Sequence, residues 1–340
     1  MKKTVCFLLL MLLTLSLFAC EGFTVTNESE SPSTDIPVGS ITSSDASEES
    51  AEAVELLGDK LSVVVLGDSI ARGYGLENVE AERFSSLLGE KLKPHYNEVK
   101  VSNFGIDGQT GSELAASLES DVPNELKECD VVIISIGGNN VLGSLTEVTG
   151  LVELLSNVPK DIFVNYLLYL FPPEGTEKSK FQYTVDAING LFVSANGIFQ
   201  SDAYKALVKK GGDNLREEIP DIIAHIKKVN PNARILFQTI YNPYKNLNLS
   251  LIGIEEKLML GVYGEQAVSP MNKAINELSA ENGYEVVPVW ERFEESRRSL
   301  INAGFSLMTA KFNVDPHPNS QGHAYIADIY YEILTEEADA

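Results

Sequence analysis

The sequence predicts an α/β domain built on a parallel sheet of about five strands, with helices on both of its faces. Two observations carry this: short apolar runs rich in Val, Ile and Leu alternate with longer amphipathic runs, and no second block with its own strand pattern follows among the 340 residues. The expected strands are Leu61–Leu66, Val99–Asn103, Val131–Ile136, Arg234–Ile240 and Glu285–Trp290, each apolar enough to suggest burial on both faces. The amphipathic stretches Glu82–Lys93, Ser112–Glu119, Leu215–Val229, Val268–Asn282 and Ser320–Leu334 supply the helices between and after them. In such a sheet ligands bind beyond the carboxyl ends of the strands, so functional residues are expected just after each run. Two connections are long, one of about 90 residues after the third run and one over Asn242–Gln266, and long connections are commonly lids or binding loops.

The N-terminus departs from this pattern. Lys2 and Lys3 precede an apolar stretch from Val5 to Leu13, followed by Leu17-Phe18-Ala19-Cys20. The stretch is short and interrupted by Thr14 and Ser16, which favours a cleaved secretory signal over residues 1–19 rather than a spanning anchor. Residues 20–59 are dominated by Ser, Thr, Glu and Asp, too polar to collapse, and are expected to be a linker before a domain over residues 60–340 with an insertion at about 141–213. Of the three cysteines, Cys6 would leave with the signal and Cys129 lies in an apolar run, so no disulfide is expected. A formal charge of −23, from 49 acidic and 26 basic side chains, argues against nucleic acid as a partner.

Four segments carry candidate chemistry. Gly67-Asp68-Ser69 follows the first strand on a glycine-flanked turn, where a serine hydroxyl is presented at the sheet edge; alone it is a common turn. Asn103–Thr110, with Gly105 and Gly108, follows the second and lets backbone amides approach a ligand, although an ordinary strand-to-helix turn reads the same way. Gly137-Gly138-Asn139-Asn140 follows the third; an Asn amide there is a donor suited to a developing oxyanion, or simply a cap for the next segment. Asp315-Pro316-His317 precedes the last helix, and a histidine held between prolines with an acid beside it suits a general base. His95, His225 and His323 sit in contexts that favour structural or exposed roles.

Read together and in this order, the four segments resemble those of the SGNH hydrolases, the GDSL esterase and lipase family, over roughly Leu61–Leu334. The resemblance implies a flavodoxin-like three-layer α/β/α sandwich that works without a metal or other cofactor. It implies Ser69 as nucleophile, the amides of Ser69 and Gly108 and the side chain of Asn139 as oxyanion donors, and His317 as general base. Two departures stand out: Asn140 occupies a place where the family usually has Asp, and Asp315 lies two residues before His317 rather than three, Val314 being at the usual place. Either a tight turn at Pro316 lets Asp315 orient the imidazole, or a backbone carbonyl does so. The segment Leu17–Cys20 likewise resembles a bacterial lipobox, which implies lipidation of Cys20 and an exported protein held at the outer face of a bacterial cell membrane.

The expected activity is cleavage of carboxylic esters through an acyl-enzyme, on a small-molecule or lipid ester of the lysophospholipase kind. The alternatives are a carbohydrate or cell-wall O-acetyl esterase and a catalytically silent binding lipoprotein. The apolar runs Ile162–Phe171, Leu191–Val193 and Leu249–Leu260 are expected either to line an acyl cleft or to pack as helices on the body.

Overall fold

The apolar runs assemble as five parallel strands, β1 (Gly58–Gly67), β2 (Tyr96–Gly105), β3 (Val131–Ser135), β4 (Arg234–Gln238) and β5 (Glu285–Val287), side by side in the order β2-β1-β3-β4-β5. The computed structural model describes residues 56–141, 160–306 and 311–336. The expected signal over residues 1–19, the lipobox-like segment ending at Cys20 and the acidic stretch up to residue 55 lie outside the described residues. The helices include α1 (Ser69–Arg72), α2 (Phe84–Leu92), α3 (Gly111–Ser120), α4 (Lys160–Leu170), α5 (Gln182–Gln200), α6 (Asp202–Val229), α7 (Leu260–Asn282), α8 (Val289–Glu295) and α9 (Ser320–Glu336), with a further single turn at Val79–Glu82. This is the expected flavodoxin-like arrangement, with the chain reversing direction across the sheet between β1 and β3.

Alternation along the strands builds two cores. Val64, Leu66, Val132, Ile134, Ile235 and Phe237 face one side, against residues of α3, α5, α6 and α7 such as Leu114, Phe192, Ile219 and Met271. Val63, Val65, Val131, Ile133 and Leu236 face the other, against Phe84 and Leu88 of α2, Phe293 of α8 and Ile326 and Tyr330 of α9. Each of these side chains removes apolar surface from water, at about 1.5–3 kcal/mol for a fully buried aliphatic or aromatic group.

Three expectations need correction. β2 is an edge strand with no fully buried residue, because only β1 pairs with it and Glu98 and Lys100 reach solvent. The fifth run ends as a strand at Val287: Pro288 lacks the N–H that a longer ladder needs, and the chain turns there into α8. The long connection after β3 is largely helical. The face of α4 bearing Ile162, Tyr166, Tyr169 and Leu170 packs on the first core, Tyr166 is buried, and its hydroxyl donates to Ile252 O at 2.6 Å. So the apolar run Ile162–Phe171 is mainly a packed helix, with Val164 and Phe171 left exposed. After β4, Asn248–Leu249 and Leu258–Met259 form a small antiparallel ladder that leads into α7.

Polar groups also tie the layers. His95 Nε2 is 2.7 Å from the Tyr331 hydroxyl, joining the start of β2 to α9. His323, fully buried in α9, accepts the first N–H of α2, from Phe84, at 3.4 Å through Nδ1, and its ring stacks on Phe84. Its Nε2 has no partner, and burial pushes the imidazole pKa down to about 4, with His317 adding to the shift. The neutral ring is therefore the native form. Below the unfolded value near 6.5 the unfolded chain binds the proton first, so stability drains as pH falls from about 6.5 towards 4. In urea titrations, wild type should lose about 2 kcal/mol between pH 7 and pH 5 relative to His323→Leu, from roughly 1.4 kcal/mol per pH unit. Parallel pH dependences for the two proteins would refute this account.

Candidate active site

The parallel register makes the ends of β2, β1 and β3 level: Gly67 pairs with Gly105 on one side and Ser135 on the other. The loops beyond them are stitched at once, Ile106 N to Gly67 O at 2.9 Å and Asp68 N to Ser135 O at 3.0 Å. Asp68 then caps α1, its carboxylate accepting the Ile70 amide at 2.9 Å, and Ser69 stands as the first residue of that turn with its side chain mostly buried. Burial pushes the Asp68 carboxyl up to about 7, against the lowering effects of the Ile70 amide and of His317.

The imidazole approaches from the opposite wall. His317 Nε2 lies 2.9 Å from Ser69 Oγ. Asp315 Oδ1 lies 2.6 Å from His317 Nδ1 and also accepts the His317 main-chain amide at 3.1 Å, so the turn at Pro316 is tight enough for a spacing of two. Asp315 Oδ2 accepts the Asn302 amide at 3.0 Å. Burial alone would raise the Asp315 carboxyl, but the hydrogen bonds and charge of His317, with Asn302, outweigh it and hold the group below its usual value. The segment is pinned by tyrosines that follow β4: Tyr241 donates to Pro316 O at 2.9 Å and Tyr244 to Val314 O at 3.1 Å. Val314 thus contributes its carbonyl to the scaffold.

On the other side, Gly108 adopts a left-handed φ of 75°, a conformation that glycine takes without a steric penalty. The Asn139 amide donates to Gln109 O at 3.1 Å, joining the loop after β3 to the loop after β2. Asn140 accepts the Gly111 amide at 3.3 Å and donates to Glu218 of α6 at 2.7 Å. Burial raises the Glu218 carboxyl, partly offset by hydrogen bonds from Asn140 and Ser112. Arg72 of α1 forms an ion pair with Asp107, closing α1 onto the same loop.

Ser69, His317 and Asp315 therefore form one hydrogen-bonded chain, and Asn139 lies in a second that ties the loops where Gly108 sits. Tyr74, Asn302 and Glu218 escaped sequence reasoning. The Tyr74 ring lies 4.6 Å from the His317 ring and is half exposed. All three meet the site only through tertiary packing, and no motif spacing marks them. Among the described residues no cluster of three or more His, Cys, Asp or Glu is placed to hold a metal ion. A small apolar cavity is lined by Gly138, Val141, Phe199, Tyr204, Ala267 and Met271 among others, with Gly138 as its link to the loop of Asn139.

Solved structures with the same architecture include phospholipase A1 from Streptomyces albidoflavus NA297, with a TM-score of 0.50 and 14% identity over 81% of this chain and 98% of that one. The chain also aligns with the lipase Lip_vut3 from a goat rumen metagenome (TM-score 0.47, 16% identity, 79% and 95% of the two chains). An extracellular lipase from Streptomyces rimosus aligns with a TM-score of 0.46 and 14% identity over 81% and 99%. At these identities the phospholipase structure supports the fold, and nothing more is taken from the three. None of the curated proteins matches the chain. The model of the GDSL-like Lipase/Acylhydrolase family, by contrast, matches residues 65–325, a span that runs from β1 into α9 and includes all four segments. The chain belongs to the GDSL-like lipase/acylhydrolase family of hydrolases.

Proposed function

We propose that the protein is a serine esterase that cleaves carboxylic esters through an acyl-enzyme on Ser69. The observation that carries this reading is the continuous hydrogen-bonded chain from Ser69 Oγ through His317 to Asp315. His317 Nε2 takes the Ser69 proton as Oγ attacks the ester carbonyl, and the carboxylate of Asp315 stabilises the imidazolium through Nδ1. The tetrahedral oxyanion is held by the amides of Ser69 and Gly108 and by Asn139, whose second amide hydrogen remains after the bond to Gln109 O. His317 then protonates the departing alcohol, and water delivered by the same base releases the acid. Tyr74, over the imidazole, shields it from bulk water on its exposed side.

For the substrate class, the supporting observation is the apolar wall that begins at Gly138, next to Asn139 in the chain. Its aromatic rings offer no free hydroxyl at Tyr204, which donates to Tyr263 O at 2.7 Å, or at Tyr244, which holds Val314. Such a lining favours an acyl chain over an acetyl group or a sugar, at about 0.8 kcal/mol per buried CH₂. We therefore favour medium or longer acyl esters, lipids and lysolipids among them. Leu167 lies on α4, which packs on the body, and Phe171 just past its end, so the selectivity is assigned to the apolar wall that begins at Gly138. For the cell, we propose export and attachment through a lipidated Cys20, with the acidic linker holding the domain away from the bilayer; the supporting observation is the signal-like run ending at Leu17–Cys20.

Ser69→Ala should lower kcat by about 10⁶, Asn139→Ala by about 10² to 10³ with KM little changed, and Asp315→Ala by less than His317→Ala. Steady-state kinetics on a nitrophenyl ester, with fluorophosphonate labelling of Ser69, test the set; an Ser69→Ala protein with a tenth of wild-type activity would end the assignment. Across a nitrophenyl ester series, kcat/KM should rise from acetyl to medium chains, and Ala267→Phe should shift the optimum towards shorter ones. A monotonic fall from acetyl onward would instead favour the O-acetyl esterase. Cell fractionation tests the anchor: Cys20→Ser should leave the membrane fraction or accumulate unprocessed, and a processed variant that stays membrane-bound would refute lipidation at that residue.

A further inference from the structure

Behind the oxyanion side of the site sits a carboxylate that the reaction itself does not use. Glu218 lies on α6, 78 residues from the Asn140 amide that donates to its Oε2 at 2.7 Å. Ser112, in the first turn of α3, presents its main-chain N–H and hydroxyl towards the same carboxylate and lowers its pKa. The opposite end of the Asn140 amide accepts the Gly111 N–H at 3.3 Å. Two residues earlier, Gln109 O receives the Asn139 amide at 3.1 Å. Two hydrogen bonds thus cross between the same two loops, Asn139 to Gln109 and Gly111 to Asn140, and Glu218 grips the second from outside.

The backbone is cut to fit this group. A Cβ on Gly111 would fall 2.2 Å from Glu218 Oε2, so a side chain there would expel the carboxylate. A Cβ on Gly211 would fall 2.3 Å from Val141 Cγ2 and 2.9 Å from Asn140 O, so α6 could not approach the Asn139-Asn140 turn. Gly211, Leu215 and Glu218 share one face of α6 by helical spacing, and that face lies along the turn. The Asn140 amide and the N-terminal turn of α3 offer donors to this carboxylate, and they offset part of the burial that raises it.

We infer that Glu218 is a positioning residue: acting through Asn140 and the first turn of α3, it fixes Asn139 against the loop of Gly108 in the geometry that the oxyanion requires. The inference rests on the Ser69 reaction proposed above. Displacing a donor by a fraction of an ångström weakens transition-state stabilisation while leaving ground-state binding almost unchanged, since the donor acts on charge that develops only during reaction.

The test exchanges the two ends of the bond. Glu218→Gln should lower kcat about tenfold with KM within about twofold, because its amide brings a donor to a place already full of donors. Asn140→Asp alone should do similar harm, by setting a second carboxylate against Glu218. The double variant Asn140→Asp/Glu218→Gln restores one carboxylate and one amide in reversed order and should recover kcat to within about threefold of wild type. Thermal unfolding of all four proteins accompanies the kinetics. Wild-type kcat in either single variant overturns the inference, as does a double variant that regains its Tm without regaining kcat. Should Glu218→Gln not fold, Ser112→Ala removes one of the carboxylate's donors without changing charge; a smaller loss in kcat alone is expected, and an unchanged kcat counts against Glu218. Fluorophosphonate labelling of the wild type separates the two levels: no labelling at Ser69 defeats the proposed reaction, whereas normal labelling with a harmless Glu218→Gln defeats only the positioning role.

Discussion

Everything at the candidate site depends on the register of three parallel strands. Gly67, Gly105 and Ser135 end level with one another, so the segments that follow leave the sheet at one height and from neighbouring positions. A slip of one residue would move every strand side chain to the opposite face and exchange the contents of two cores that are each packed around their own helices. The packing of the sheet thus sets the positions from which Ser69 and Asn139 depart. Loop hydrogen bonds then refine what register has already placed, the Asn139 to Gln109 and Gly111 to Asn140 bonds joining the loops after β3 and β2.

The histidine arrives by a different route. It stands on the segment between the small ladder of Gly304–Ser306 with Lys311–Asn313 and the start of α9, with no sheet strand to position it. Its place is held by contacts distributed along that segment: Tyr241 on Pro316 O, Tyr244 on Val314 O, and the Asn302 main-chain amide on His317 O at 2.9 Å. Both tyrosines are anchored by the chain just after β4, so even here the sheet is the reference frame. Because Asp315 accepts both the ring and the backbone N–H of His317, it fixes the turn and the ring together. That double use explains how an acid two residues away reaches the imidazole.

Residues whose role is local were legible in the sequence, and residues whose role is tertiary were not. The central strands read clearly because both faces of β1 and β3 are buried and their apolar runs are unbroken. β2 was misread as buried because Val99 and Val101 resemble core residues, while its edge position is a fact of topology. Pro288 was the local signal that should have ended the fifth strand early. The four loop segments were recognisable from glycines and polar residues at strand ends, and Ser69, Asn139 and His317 were named from them. Asn302 and Glu218 carry no such mark: an Asn before Ala303 in a loop and a Glu in a helix rich in charged residues look like solvated surface until the fold brings them to Asp315 and Asn140.

The site also holds two carboxyl groups whose surroundings drive them apart. Asp315 meets donors at both oxygens and stays ionised, as a partner for an imidazolium must. Asp68, two per cent exposed, has burial as its dominant influence and rises to about 7 from 3.8. For an acid raised on folding, the native state binds the proton more tightly, so its ionisation costs stability as pH climbs from about 4 towards 7 and the cost is full above that. His323 works in the opposite sense over a similar window, losing stability as pH falls from about 6.5 to 4. The two slopes offset each other across the mildly acidic range, and acid sensitivity of the fold then falls to the remaining carboxylates. The burial that raises Asp68 accompanies its role as the cap that sets Ser69 at the start of α1, beneath the imidazole. A cost borne by the folded state at neutral pH is thereby tied to the placement of the Ser69 hydroxyl, the proposed nucleophile, and unfavourable burial of this kind gathers at functional sites.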